Sequence, residues 1–171
     1  MERYILYETY RLAMLIGHIE PAELIKKIDE FIAENPIEEI PHVFYVLSLA
    51  SNRRVMIELL TELATGVDEE LPSCIVVGLL YRDRERYTIE ELYQKVGLLA
   101  SLLVDRDGEV AAEFSELKKA YDDAQKAYGL RFKRKKARQR MLAKNELALE
   151  EALTKYAKYV ADFESKDWWL K

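Results

Sequence analysis

Cysteine, glycine and long apolar runs are scarce in this chain, and each shortage excludes a class of protein. Among its 171 residues Cys74 is the one cysteine, so the chain cannot form an internal disulfide. The six glycines do not form the loops that cradle nucleotide phosphates. No apolar run approaches the roughly 20 residues that cross a bilayer, and the first residues lack the basic start of a signal peptide. These features predict a cytoplasmic location.

Side chains suited to catalysis or metal binding are equally few. The two histidines, His18 and His42, have no His, Cys or carboxylate near them at metal-ligand spacing. Cys74 has no adjacent base, and its apolar neighbours predict a buried, unreactive thiol. Acidic pairs are abundant, but at helix starts and in loops such pairs usually complement the helix dipole. We therefore expect no enzyme activity, no metal site and no cofactor.

Charge is divided unevenly along the chain. Residues 1–116 carry 11 basic and 23 acidic side chains, a net charge of −12, whereas residues 117–171 carry 15 and 8, a net charge of +7. Their sum is the −5 of the whole chain. Most of the positive excess lies in the stretch 126–144, which contains no acidic residue. Such a stretch needs counter-charge from the acidic half of the chain, from another protein or from nucleic acid.

Residues that begin and end helices are frequent along the chain, and they predict an all-α fold. Apolar residues recur at the spacing of amphipathic helices, and prolines, caps and glycines mark where these helices begin and end. A helix over 2–16 stops at Gly17, a second covers about 21–34, and Thr88 forms a capping box with Glu91. The other helices are expected from Pro41 to Ala50, from Ser51 or Asn52 to Gly66, over 73–81, from Thr88 to Leu103, over 109–128 and over 131–164.

One segment of this series is ambiguous. The run from Ile75 to Val77 is β-branched and is followed by Gly78, a pattern that also fits a buried strand. No partner strand is visible elsewhere in the sequence. For residues 74–81 we therefore favour helix rather than strand.

Together the segments predict one all-α domain, a bundle of about seven or eight helices. Residues 1–105 form its acidic helical core, and residues 109–164 form a long C-terminal helical hairpin that carries the basic stretch 126–144. Apolar residues near the end of the chain fall seven, four, three, four and three positions apart, as in the a/d seam of a packed helix: Leu142, Leu149, Leu153, Tyr156, Val160 and Phe163. Helix 109–128 has a similar stripe, so we expect an antiparallel hairpin hinged near Gly129.

Part of the sequence carries a family resemblance. The matching elements are Arg11-Leu12-Ala13, Ile16-Gly17-His18-Ile19-Glu20-Pro21-Ala22-Glu23, Asp29 with Ile32, and Ile40-Pro41 leading to Leu47-Ser48-Leu49-Ala50. With these elements, residues 11–65 resemble the N-terminal helices of small all-α bacterial immunity-type proteins, which neutralise a toxin from the same locus. The resemblance implies binding to a protein rather than catalysis.

The residues that would form such a binding surface are acidic and aromatic. An acidic face would steer a basic toxin towards the protein, and its candidate residues are Asp68, Glu69, Glu70, Glu90 and Glu91. Tyr4 and Tyr7, two of eleven tyrosines, would supply contact area, although tyrosines also occupy the borders of amphipathic helices. We predict a non-enzymatic bacterial protein that sequesters another protein and does not enter the membrane.

The alternative is a nucleic-acid-associated protein that uses the basic helix 131–144. Tyr128 and Phe132 could stack on bases, and the candidate phosphate contacts are Arg131, Lys133, Arg134, Lys135, Lys136, Arg138 and Arg140. A third reading is a solvated helix whose charge the acidic half offsets. The negative net charge of the whole chain favours protein as the partner. The sequence leaves the oligomeric state and the identity of the partner open.

Overall fold

A computed structural model of the chain describes residues 2–129 and 135–165. Within these ranges the chain forms α-helices and short 3-10 turns and no β-strand, which confirms the predicted all-α fold. The helices are α1 Glu2–Leu15, α2 Pro21–Glu34, α3 His42–Ser48, α4 Arg53–Leu63, α5 Glu70–Arg82, α6 Ile89–Leu102, α7 Glu109–Gly129, α8 Lys135–Thr154 and α9 Ala157–Ser165, with 3-10 turns at Ile37–Glu39 and Arg84–Arg86. The described part thus has eight helices if α8 and α9 are counted as one bent helix.

Several helix ends follow directly from the residues that occupy them. Helix α1 ends in a Schellman motif, in which the amide of His18 donates to the Ala13 carbonyl and the amide of Gly17 donates to the Met14 carbonyl. Gly17 has a φ of 67° there, a conformation that favours glycine. The Asn52 side chain accepts the Val55 amide at the start of α4. The capping box predicted at Thr88 is confirmed at the start of α6.

Helix α5 lies at the centre of the bundle and resolves the ambiguous segment. It contacts α1, α6, α7, α8 and α9, and every residue from Pro72 to Leu80 is buried. A helix buried on all sides has no polar face, so its sequence shows no amphipathic period. This explains why the run could be read as a strand. The helix begins at Glu70, earlier than the predicted residue 73, because Pro72 is tolerated in a first turn where no helical bond needs its missing N–H.

Gly78 lets the last part of the chain approach α5 closely. A Cβ atom at Gly78 would lie 2.6 Å from the carbonyl oxygen of Tyr156 and 2.6 Å from Cγ2 of Val160. The close carbonyl belongs to the break between α8 and α9. There the amide of Lys155 donates to Ala152 and that of Tyr156 donates to Leu153, bonds of the tighter i to i−3 type. The predicted single helix 131–164 is therefore bent where it crosses α5.

The predicted antiparallel hairpin is present. Near the start of α7, Phe114 packs against Tyr156 with ring centroids 5.8 Å apart. Further along α7, Tyr121 stacks at 4.1 Å on Tyr93, whose hydroxyl donates to the carbonyl of Asn145 in α8. The start of α7 thus lies beside the end of α8, while Tyr121 of α7 and Asn145 of α8 both contact Tyr93 of α6. The expected hinge near Gly129 adjoins residues 130–134, which are outside the described residues.

The seam is buried within the chain, but its packing partner needs a correction. Leu149, Leu153, Tyr156, Val160 and Phe163 are buried and Leu142 is half-buried. We expected α7 to be the helix that covers them. The structure shows that α5 covers much of this stripe, since α9 packs along α5. The two-helix expectation failed because α5, buried all round, needs apolar partners on more sides than α1 and α6 provide.

We predict that Gly78→Ala destabilises the fold by about 1–3 kcal/mol, because overpacking against a backbone carbonyl outweighs the helix propensity that alanine adds. Thermal or urea unfolding measures the change. Gly97→Ala is the matched control: its Cβ would lie 2.8 Å from Cγ of Lys118, so one lysine side chain must change rotamer, whereas at Gly78 a backbone carbonyl must move. Equal unfolding free energies for the two variants would contradict the close-approach account.

Candidate functional site

The segment that joins α4 to α5 forms the shared wall of two cavities. One, about 500 Å³ in volume, continues towards α7 and is called the acidic cavity here. The other, about 680 Å³, continues towards α1 and α9 and is called the apolar cavity. Residues 65–68 and Glu70 line both cavities. Any group bound in one cavity therefore lies close to a group bound in the other.

The acidic cavity owes its name to six carboxylates and a single cation. Its lining includes Glu8 from α1, the segment 68–70, and Asp105 and Glu109 around the start of α7. Arg11 is the cation among the lining residues. The excess of carboxylates makes the cavity negative, so its electrostatics favour a cationic ligand.

Arg11 neutralises part of this charge and fixes the wall of the cavity. Its guanidinium donates to both carboxylate oxygens of the buried Glu8, at 2.6 and 2.5 Å, and it lies 3.5 Å from a carboxylate oxygen of Glu69. The bond to Glu8 raises the pKa of Arg11. Glu69 also accepts the backbone amide of Val104 at 2.7 Å. One network of charged groups thus joins α1, the start of α5 and the turn after α6.

The other four carboxylates of the cavity form no ion pair within 4 Å among the described residues, and only Glu109 acts electrostatically on a nearby cation, Lys155. Asp68 accepts the amide of Glu70 at 2.9 Å, and Asp105 accepts the amide of Asp107 at 3.0 Å. Glu109 is 3.4 Å from the hydroxyl of Tyr156. These bonds position the carboxylates without removing their charge. The cavity therefore presents uncompensated negative charge to a ligand.

Apart from the segment that it shares with the acidic cavity, the apolar cavity is lined by aromatic and apolar side chains. These are Tyr4, Ile5, Leu71, Cys74 and Tyr159. Tyr4 is 50 % exposed and Leu71 is 37 % exposed, so both side chains are accessible at the surface. Cys74 is buried as predicted, and burial raises the pKa of its thiol to about 11. A thiol that stays protonated is an unreactive part of the cavity wall.

The structure brings together some of the predicted partner-binding residues and separates others. Asp68, Glu69, Glu70 and Tyr4 line the two cavities. Tyr7, by contrast, is only 5 % exposed and packs edge-on against Tyr4 with ring centroids 6.5 Å apart, so it lies in the core. The tyrosine stripe of α1 is thus mainly a packing face.

Glu90 and Glu91 lie at the opposite end of α6 from Glu69. Glu69 bonds to Val104, just past the end of α6, whereas Glu91 closes the capping box with Thr88 at its start. A helix of 14 residues is about 20 Å long. The five predicted acidic residues therefore do not form one continuous face.

Four residues that line the cavities were not predicted as binding residues. Arg11, Leu71, Cys74 and the 84 % exposed Val104 line the two cavities beside the predicted acids. Only Arg11 carries a local signal, because it follows Glu8 by three positions, the spacing of a helical ion pair. The other three are placed by tertiary packing.

The described basic residues of the nucleic-acid alternative lie at the start of α8. Arg131, Lys133 and Arg134 are outside the described residues, Lys135, Lys136 and Arg138 occupy the first turn of α8, and Arg140 is exposed on the same helix. Helix α7 starts at the acidic cavity with Glu109 and runs for 21 residues, about 30 Å. This length separates the acidic cavity from the C-terminal end of α7.

A second polar cluster surrounds His18 where α1 ends. The His18 ring is buried, with Nδ1 2.9 Å from the Tyr87 hydroxyl and Nε2 3.4 Å from a carboxylate oxygen of Asp83. Lys95 donates to the carbonyls of Ile16 and Gly17 at the end of α1. Cations suit this position because carbonyls at a helix C-terminus carry partial negative charge. The cluster joins α1 to the start of α6 and has a structural role.

Burial lowers the pKa of His18 to about 4, although the Asp83 carboxylate acts in the opposite direction. Arg86, Lys95 and Arg82 lower the pKa further because they oppose a second positive charge. The imidazole is therefore neutral in the folded protein near pH 7.

Comparison with known proteins identified no relative of this chain. Protein-family models, curated proteins and solved structures give no match to this chain. Within residues 2–129 and 135–165, no helix is long and apolar enough to span a membrane. The same ranges hold no cluster of three or more His, Cys, Asp or Glu side chains arranged to bind a metal ion.

We predict that the free energy of unfolding falls as the pH is lowered from about 6.5 to about 4. In this window the unfolded chain protonates His18 and the folded protein does not, so stability present above pH 6.5 is lost, by about 3 kcal/mol at most. Denaturant unfolding at a series of pH values measures the slope. His18→Gln, which cannot titrate, should have a smaller slope in this window, and parallel curves for the two proteins would refute the assignment.

Proposed function

We propose that this chain is a non-catalytic protein that binds and sequesters a basic protein through the surface around residues 64–70. The observation that carries the proposal is the group of uncompensated carboxylates in the acidic cavity, beside exposed apolar side chains. The resemblance of residues 11–65 to immunity-type proteins makes a toxin the partner class that we propose. Nuclease toxins are commonly basic because they bind nucleic acid.

Electrostatics would govern the encounter. Asp68, Glu70, Asp105 and Glu109 share one cavity and form no close ion pair among the described residues. A concave surface of one charge sign concentrates the potential and steers an oppositely charged partner. Because salt screens this attraction over roughly 10 Å, the association rate should fall as ionic strength rises.

Apolar contacts would hold the partner after the encounter. Tyr4 and Leu71 lie at the apolar cavity and Val104 lies at the acidic one, and all three are exposed. Interfaces gain most of their affinity from a few such anchors near the centre of the contact, surrounded by polar groups. The arrangement of apolar side chains among carboxylates therefore supports protein as the partner.

The surface is also preorganised. Arg11 ties the start of α5 to α1, and Glu69 ties it to the turn after α6. Asp68 bonds the first amide of α5. A surface fixed by such bonds loses less conformational entropy on binding, which favours high affinity.

We expect Glu70→Lys to weaken binding of the native partner by about tenfold or more, because it replaces an attraction in the cavity by a repulsion. Glu90→Lys is the matched control. It makes the same charge change in the first turn of a helix, but at the end of α6 that is remote from the acidic cavity. The partner is isolated with the wild-type chain from native cells and purified. Dissociation constants are then measured by calorimetry at low and physiological salt.

Equal weakening by the two variants would show that only net charge matters and would contradict a binding surface at residues 64–70. No effect of Glu70→Lys would contradict it as well. Circular dichroism of each variant checks that the fold is retained.

The toxin assignment has a separate test. Expression of the isolated partner should arrest bacterial growth, and co-expression of the wild-type chain should restore growth better than the Glu70→Lys variant. A harmless partner would exclude immunity while leaving protein binding in place. Tight binding of DNA or RNA that is lost steeply with salt would favour the alternative function instead.

A further inference from the structure

We infer that the partner binds with a short segment that places an apolar side chain in the apolar cavity and a Lys or Arg beside it in the acidic cavity. This inference rests on the proposed function and specifies what the partner must present. The two cavities and the chain between them would act as one two-part site.

The apolar cavity has the size and lining to receive a large apolar side chain. Its volume of about 680 Å³ exceeds that of any single side chain, and Ile5, Leu71 and Cys74 offer apolar contacts within it. Tyr4 and Tyr159 also line it; the ring of the half-exposed Tyr4 can pack against a ligand while its hydroxyl stays hydrated, and the Tyr159 hydroxyl hydrogen-bonds the Cys74 thiol. An inserted apolar group would remove both itself and the exposed part of Leu71 from water.

The acidic cavity determines the charge of the neighbouring residue. Asp68 and Glu70 lie on the wall between the cavities, and neither forms an ion pair within the described part of the chain. A neutral partner residue there would leave these carboxylates without counter-charge, and an acidic residue would be repelled by them. A Lys or Arg in this position gains charge-assisted hydrogen bonds instead.

The shared wall fixes the spacing of the two groups. Residues 65–68 and Glu70 line both cavities, so one segment of chain lies between them. Crossing one such segment takes on the order of 10 Å, the reach of about three extended residues. The partner segment should therefore carry its apolar and basic residues within about three positions of each other.

The test uses a phage-displayed library of random 12-residue peptides selected on the full chain. We expect the selected peptides to share an apolar residue within three positions of a Lys or Arg. The strongest peptide is then synthesised, and its dissociation constant is measured with wild type and variants. Leu71→Ala and Glu70→Gln should each weaken it at least about fivefold, whereas Leu49→Ala, at an exposed apolar residue outside both cavities, should leave it unchanged.

Three results would overturn the inference: no enriched sequence, enriched peptides without a basic residue, or binding that is insensitive to Leu71→Ala. The native partner separates this failure from failure of the proposed function. If Glu70→Lys weakens the native complex and Leu71→Ala does not, the partner-binding surface stands and the two-part site fails. If Glu70→Lys has no effect on the native complex, the proposed function fails, and the inference fails with it.

Discussion

Complete burial of helix α5 is the constraint on which the rest of the structure depends. Nine consecutive residues, from Pro72 to Leu80, have almost no contact with water. Each apolar side chain of this run contributes about 1.5–3 kcal/mol when it leaves water, but only if other helices cover every side of α5. Helices α1, α6, α7, α8 and α9 supply that cover. The bend between α8 and α9 and the glycine at position 78 follow from the same requirement.

The candidate binding surface depends on this arrangement. Because α5 is fixed from all sides, its first turn and the preceding loop hold a defined position at the edge of the core. The Arg11 network then joins this edge to α1 and to the turn after α6. A charged network that is this well paired positions residues even where its net contribution to stability is small. Carboxylates outside the network, such as Glu70, are left available to a partner.

Much of the fold could be predicted from the sequence because its helix ends are set by local chemistry. Asn52, Thr88 and Gly17 act within a few residues of their own positions, so spacing identified Thr88 and Gly17 and narrowed the cap of α4 to Ser51 or Asn52. Non-local contacts were less visible. Gly78 looked like an interruption of a helix, and its real cause, the carbonyl of Tyr156, is far away in sequence. The α8–α9 bend was missed for the same reason.

The candidate site was predictable only in part. Asp68, Glu69 and Glu70 stand together because they are consecutive, whereas Glu90 and Glu91 were grouped with them by charge and are separated by the length of α6. The tyrosines of α1 share a similar spacing, but tertiary packing buries Tyr7 and leaves Tyr4 half-exposed. Composition therefore indicated the chemistry of the surface, and the packing of α5 decided which residues reach it.

The most direct test of the account is hydrogen–deuterium exchange of the chain with and without its purified partner. Binding at the proposed surface should slow exchange in residues 64–71 and 103–111, which line the two cavities, and leave the first turns of α6 unchanged. Protection confined to the start of α6 or to the hairpin of α7 and α8 would contradict it.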